Sequence, residues 1–227
     1  MTIAADKALQ AADVIIGYTV YIDLIRPHYP GKEYRSTPMT KEADRCRIAL
    51  DLAQQGKNVV LICSGDSGIY GMAALVYELR GDSETPEIAV LPGITAACSG
   101  SAILGAPLTH DFAVISLSDR LTEWEKISNR LTAAAKADLS IVLYNPRSKG
   151  RPDALRNACE LLLQILPPDR PCGIAHAIGR EGEYSQIITL GELQHYPADM
   201  FCTIFIGNEM TKVIQGKLIT PRGYHYA

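Results

Sequence analysis

An α/β fold made of two α/β domains is what the sequence predicts, and three observations lead there. Short β-branched runs, such as Val59-Val60-Leu61-Ile62-Cys63, alternate with stretches of helical periodicity, the pattern of parallel strands joined by helices. Glycine and proline punctuate nearly every boundary between them. The last third departs from this rhythm and spaces its β-rich runs as hairpins.

Taken in order, a helix over Ala4 to Ala11 opens the chain and is followed by the strand Asp13 to Tyr18. A charged helix over Lys41 to Gln55 is stopped by Gly56, whose freedom at positive φ suits a helix end. The strand Asn58 to Cys63 leads through Ser64-Gly65-Asp66-Ser67-Gly68 into a helix over Ile69 to Leu79. Glu87 to Leu91 reads as a strand, and Pro92-Gly93 turns into an Ala-rich helix through Ile103. The second half gives a strand from Phe112 to Leu117, a helix from Glu123 to Lys136, a strand from Leu139 to Tyr144 and a helix from Asp153 to Leu166. Three more strands follow: Cys172 to Ile178, Ser185 to Leu190 and Cys202 to Gly207. The domains are expected at residues 1–108 and 112–227, with Gly105 to Asp111 as linker; one long sheet is the alternative.

Composition narrows the function classes. The chain has 227 residues, 47% of them hydrophobic and 21% charged, ordinary for a globular protein. A net charge of −3 and scattered Lys and Arg disfavour a nucleic-acid partner, which would need a basic patch. No apolar run approaches the ~20 residues that span a bilayer, and the N-terminus lacks the pattern of a signal peptide. No membrane association and a cytoplasmic location are therefore expected. The six cysteines form no C-x-x-C pair and the histidines are not at metal-ligand spacing. Reduced structural thiols, and no metal site, are the expectation.

Five motifs sit at strand ends, where ligands bind in open α/β sheets. Ser64-Gly65-Asp66-Ser67-Gly68-Ile69-Tyr70-Gly71 pairs a tight turn with a carboxylate, which either meets a ligand or caps the next helix. Leu91-Pro92-Gly93-Ile94-Thr95-Ala96-Ala97 places small residues where a ligand or a neighbouring strand approaches. Leu143-Tyr144-Asn145-Pro146-Arg147-Ser148 exposes an amide and a guanidinium suited to a carboxylate. Ala175-His176-Ala177-Ile178-Gly179-Arg180-Glu181-Gly182-Glu183 is a charged loop that lines a cleft or is a solvated hairpin. Thr203-Ile204-Phe205-Ile206-Gly207-Asn208-Glu209 ends a buried strand in a polar turn.

In this order the motifs resemble the tetrapyrrole (class III) methyltransferases over nearly the whole chain. The resemblance is strongest to the members that act at carbon-17 of precorrin-3B, through Ile16-Gly17-Tyr18, the Gly65-Asp66 loop, Tyr144-Asn145-Pro146-Arg147-Ser148 and Gly179-Arg180-Glu181-Gly182-Glu183. It implies two α/β domains of the tetrapyrrole methylase type, with S-adenosyl-L-methionine in the cleft between them. Gly65, Asp66, Ile69, Thr95, Ala96, Asn145, Ala177, Ile178 and Thr203 are the implied cofactor residues. Arg147, Lys149 and Arg180 are the candidates for the acetates and propionates of a corrinoid tetrapyrrole, and Tyr18 is the candidate acid–base group. Methylation at carbon-17 of precorrin-3B or cobalt-factor III, coupled to ring contraction in cobalamin biosynthesis, is the implied activity, and a homodimer the implied assembly. Alternatives are another corrinoid methylase, an RNA-directed relative, or a non-catalytic S-adenosylmethionine-binding protein. The resemblance also implies a first strand and a Gly-x-Gly-Pro-Gly loop ahead of the opening helix. Because the sequence starts at that helix, Met1 is expected to be an internal methionine of a longer chain.

Overall fold

The structure, a computed structural model, describes residues 1–224; the last three residues of the second expected domain lie outside the described residues. The chain divides into two compact units, Met1–Thr95 and Ala96–Ala227. The helix and the linker segment that precede residue 112 count with the second unit.

The first unit runs α1 (Ile3–Ala11), β1 (Val14–Tyr18), α2 (Thr19–Ile25), β2 (Glu33–Thr37), α3 (Glu42–Gln54), β3 (Val59–Leu61) and α4 (Ala73–Arg80). Its sheet has the order β2-β1-β3, parallel throughout. Central β1 is buried along its first four residues, and its alternation serves both faces. Val14 and Ile16 pack with Ala49 of α3, while Ile15 packs with Leu9 of α1 and Ile22 of α2. Thr2 caps α1 by accepting from the Ala5 N–H, as N-cap hydroxyls do.

Two elements of this unit differ from the sequence expectation. Glu87 to Leu91 carries no strand ladder, and Val90 and Leu91 are exposed. Its side chains favour a strand, but a strand needs a neighbour to take its backbone hydrogen bonds, and the sheet order gives it none among the described residues. The helix expected from Ile69 begins at Ala73 instead, since Tyr70 takes a left-handed φ of 55°. A Cβ on Gly71 would collide with the Ser67 carbonyl, so the chain folds tightly onto itself first.

The second unit runs α5 (Ala96–Leu104), β4 (Gly105–Ala106), β5 (Phe112–Ser116), α6 (Trp124–Lys136), β6 (Ser140–Tyr144), α7 (Ala154–Leu162), β7 (Pro171–His176), β8 (Tyr184–Thr189), α8 (Leu190–Leu193), β9 (Cys202–Ile206), β10 (Lys212–Ile214) and β11 (Lys217–Ile219). Its main sheet has the order β5-β6-β9-β7-β8, and β4, β10 and β11 form a small second sheet. Strand β9 lies antiparallel between β6 and β7. The ends of β5, β6 and β7 and the starts of β8 and β9 therefore share one end of the sheet.

Each face of this sheet has its own core. Cys172, Ile174, Cys202, Ile204 and Ile206 face α6 and α7, meeting Ile127, Leu131, Ala158 and Leu162. Ala175 and Phe205 face Ala97 and Leu104 of α5. A Cβ on Gly100 would lie 2.8 Å from the Phe205 ring, and one on Gly173 2.7 Å from Leu104. Those two glycines let α5 sit close against the strands.

Candidate functional site

In the first unit the expected site residues gather at the carboxyl end of the parallel sheet. Tyr18 ends β1, half-buried, with its ring edge-on to Tyr21 at 5.3 Å. The Arg45 guanidinium lies 6.0 Å from the Tyr18 ring centroid. Beyond β3, the Gly65–Asp66 turn is held by its own carboxylate. Asp66 Oδ1 accepts from the Gly68 N–H at 2.8 Å, and Oδ2 accepts from the Gly93 N–H at 2.7 Å. The Gly93 bond, then the Gly68 bond, hold the Asp66 carboxyl below the usual carboxylate range, because both favour the charged form. A Cβ on Gly93 would strike the Gly65 carbonyl oxygen. Two loops 27 residues apart are thus clamped backbone to backbone, with Asp66 as the clamp rather than as the cap of α4. Ile69 is exposed and Thr95 buried.

Arg45 was not legible in the sequence. Its side chain is on α3 at 3% exposure, donating from Nε to Thr37 Oγ1 at 2.9 Å and from Nη2 to the Pro38 carbonyl at 3.1 Å. It ties the end of β2 to α3 beside Tyr18. In a linear reading it is one of several charges on a solvated helix face.

In the second unit Ala96, Asn145, Ala177, Ile178 and Thr203 come together at one end of the main sheet. Asn145 and Ala177 follow β6 and β7 with left-handed φ values of 54° and 49°. Tyr70, in the Asp66 loop, is a third, so half of the six non-glycine residues at positive φ among the described residues lie in the strand-end motifs. Such conformations are disfavoured for residues with a Cβ and cluster where the backbone itself is put to use. Asn145 Nδ2 donates to Ser116 Oγ at 2.9 Å, tying β6 to β5. The Tyr144 hydroxyl accepts from the Ala97 N–H at 2.7 Å, serving one of the donors that a helix start leaves without partners. Thr203 is buried opposite Ala175, and Ile178 packs against α5 near Gly100.

The expected cationic residues lie on loops at the same end. Arg147 and Lys149 are exposed on the turn after β6. That turn is anchored by Arg151, which donates to the Leu117 carbonyl at 2.7 Å and pairs with Asp119 at 3.2 Å. Arg180 lies 5.6 Å over the Phe201 ring in a loop built from two turns, the Arg180 N–H bonding to Ala177 and the Glu183 N–H to Arg180. Glu183 closes that loop by accepting from the Gly179 N–H at 2.6 Å.

Below the loop, on the other face of the sheet, the fold makes a grouping the sequence spacing does not show. The ligating atoms of His176, Asp199 and Cys202 lie within 4.8 Å of one another. No helix among the described residues is long and apolar enough to cross a membrane.

Comparison with known proteins supplies the family. The family model described as Tetrapyrrole (Corrin/Porphyrin) Methylases matches residues 1–194. The chain is 45% identical to a "Probable cobalt-factor III C(17)-methyltransferase" of Salmonella typhimurium, over 99% of this chain and 93% of that protein. It is 38% identical to a "Precorrin-3B C(17)-methyltransferase" of a Sinorhizobium species, over 99% of this chain and 91% of the relative. Some relatives are longer, and the chain spans 42% and 50% of two of them. Among solved structures, the methyltransferase CobJ matches with a TM-score of 0.90 and 35% identity, over 97% of this chain and 93% of that one. A Thermus thermophilus uroporphyrin-III C-methyltransferase, solved with S-adenosylhomocysteine, shares the fold at a TM-score of 0.71 and 18% identity, over 91% of this chain and 90% of that one. By its sequence and its fold, this chain belongs to the tetrapyrrole (corrin/porphyrin) methylases.

Proposed function

We propose that the chain methylates carbon-17 of a corrinoid precursor, cobalt-factor III or precorrin-3B, in cobalamin biosynthesis, with contraction of the ring. The observation that carries this reading is the 45% identity, across nearly the full length of both chains, to a relative named for that reaction.

S-adenosyl-L-methionine supplies the methyl group as an electrophile, and the macrocycle supplies the attacking carbon. The protein's task is mainly to hold the two in line. The residues present suit a ligand held through the backbone. Ala96 and Ala177 have small side chains, and the left-handed turns at Asn145 and Ala177 redirect the peptide groups at the ends of β6 and β7. The Asp66 clamp fixes the backbone of the Gly65 and Gly93 loops. In this reading Gly65, Asp66, Ile69, Thr95, Ala96, Asn145, Ala177, Ile178 and Thr203 shape the cofactor site. Arg147, Lys149 and Arg180 attract the peripheral carboxylates of the substrate. Tyr18 moves a proton to or from the oxygen groups released as the ring contracts. The protein works in the cytosol as a homodimer, for which the exposed Val213 and Ile214 of β10 are the apolar surface to cover.

Incubating the protein with S-adenosylmethionine and either precursor, and following absorbance and mass, tests the reading. One added methyl group with the spectral change of ring contraction is expected. Methylation at another carbon, or none with either precursor, overturns it. Arg147→Ala should raise KM for the corrinoid by about tenfold, as loss of one charge-assisted contact does, while S-adenosylhomocysteine affinity holds. Sedimentation reports the dimer separately.

A further inference from the structure

We propose that His176, Asp199 and Cys202 bind one divalent transition-metal ion of the zinc class, and that this ion pins the loop carrying Arg180. The inference concerns a face of the second unit that takes no part in the proposed cofactor site. The three residues are brought together by strand register. His176 ends β7 and pairs directly with Cys202 at the start of β9, and Asp199 precedes β9 by one turn.

The donors are an imidazole, a carboxylate and a thiol, the set that zinc takes. Asp199 sits between the other two, with Oδ2 3.0 Å from His176 Nε2 and Oδ1 3.4 Å from Cys202 Sγ. A zinc ion about 2.0–2.3 Å from each donor wants them roughly 3.3–3.7 Å apart. Two of the separations already approach that, and all three donors lie within 4.8 Å. Closing the widest separation, at most 4.8 Å, to that range takes side-chain shifts of about 1 Å.

The surroundings are those of a metal ligand. His176 Nδ1 faces the Gly182 carbonyl at 3.4 Å. Without an ion, Nε2–H donates to Asp199 Oδ2 at 3.0 Å; in the tautomer with its proton on Nδ1, directed at Gly182, the Nε2 lone pair takes a metal in that proton's place. The imidazole is fixed by stacking on Tyr184 at 4.6 Å and by the edge of Phe201 at 6.2 Å. Cys202 is buried, and its thiol proton leaves to solvent as the sulfur ligates the ion. Asp199 is about half exposed, which leaves a path for the ion.

The ion has a structural consequence. Gly182, whose carbonyl orients His176, belongs to the 177–183 loop, and Phe201 carries the Arg180 guanidinium on its ring. Fixing His176 and the 199–202 turn therefore fixes both supports of Arg180.

Full-length protein stripped with a chelator and titrated with Zn2+ against a chromophoric competitor tests the site, in a Cys98→Ser background that removes the exposed thiol. One Zn2+ per chain is expected, and the Co2+ derivative should show a thiolate-to-metal charge-transfer band. His176→Gln and Asp199→Asn should each weaken binding by at least about 10–100-fold, and Cys202→Ser should abolish the band. If Cys202→Ser fails to fold, the two more exposed variants carry the test alone. Bound Zn2+ should also slow tryptic cleavage after Arg180 severalfold. No stoichiometric ion, equal affinity in His176→Gln, or a Co2+ spectrum without a thiolate band overturns the site. An unchanged cleavage rate with the ion bound overturns the pinning of the loop.

Discussion

The loop after β3 and the turn after β6 occupy equivalent places in their sheets, at the carboxyl end of a strand, yet they are held by different means. In the first unit the loop rests on a carboxylate, Asp66, and nearby the end of β2 is tied down by a buried guanidinium, Arg45. The apolar clusters beneath them are small. In the second unit the turn at Asn145 stands on strands buried on both faces, with Phe205 on one side and Ile141, Leu143 and Ile204 on the other. Polar clamps are local, and the carboxylate one is titratable; packed strands are global and indifferent to pH. The first site region should therefore fail alone, and the second only with its unit.

The largest expected effect breaks the second half of that comparison. Phe205→Ala should lower the stability of the second unit by about 3–5 kcal/mol, the range for emptying a buried aromatic site, read as a drop in the urea midpoint. A loss below about 1 kcal/mol would mean that the sheet does not depend on this packing.

Next comes the clamp. In Asp66→Asn one carboxylate oxygen becomes an NH2 group facing the Gly68 or Gly93 N–H, donor against donor. Each charge-assisted bond lost is worth about 1.5–3 kcal/mol, and the cost should appear in hydrogen exchange at Gly68 and Gly93 while the amides of β6 keep their protection. The clamp also carries a pH signature. The folded carboxyl of Asp66 lies below its ordinary value of about 3.9, so its stabilisation is complete above that value and is lost as pH falls through the lowered one. The Gly93 amide shift should follow that titration and the Asn145 amide should not.

A smaller effect, of opposite sign, tests the strained turns. Ala177 at φ 49° bears the penalty of a left-handed residue with a Cβ. Ala177→Gly relieves it and gives back part of the gain as chain entropy, so a rise in stability of less than about 1 kcal/mol is expected by thermal unfolding. The smallest effect is on the surface: Glu33→Gln, which breaks the exposed pair with Arg35, should change stability by no more than about 0.5 kcal/mol.

What the sequence made legible follows the same division. Strands β1, β6 and β9 announce themselves because burial on both faces favours β-branched runs. Strand β2, Glu-Tyr-Arg-Ser-Thr, lies on a sheet edge with most of its side chains toward solvent, so its composition reads as loop. Helix α2 follows β1 with no turn residue between them and was missed for that reason. The β10–β11 hairpin did carry a signal in Gln215-Gly216, both at positive φ, the two-residue turn that joins such strands. In the site, the turns at Gly65, Asn145 and Gly179 were visible as motifs. Arg45 and the grouping of His176, Asp199 and Cys202 were not, since each depends on which strand lies beside which.

Strand β7 also acts as a partition. Ala175 and His176 are adjacent in β7, yet the alternation of the strand sends them to opposite sides of the sheet, Ala175 toward α5 and His176 toward Asp199. An ion held by His176 would be walled off by one thickness of backbone from a ligand resting against Thr203, which pairs with Ala175. The two sites would share mechanical support without sharing solvent. A single inserted residue in β7 would exchange the walls, turning the imidazole toward α5 and an alanine toward Asp199, so the separation of the two chemistries is a property of register alone.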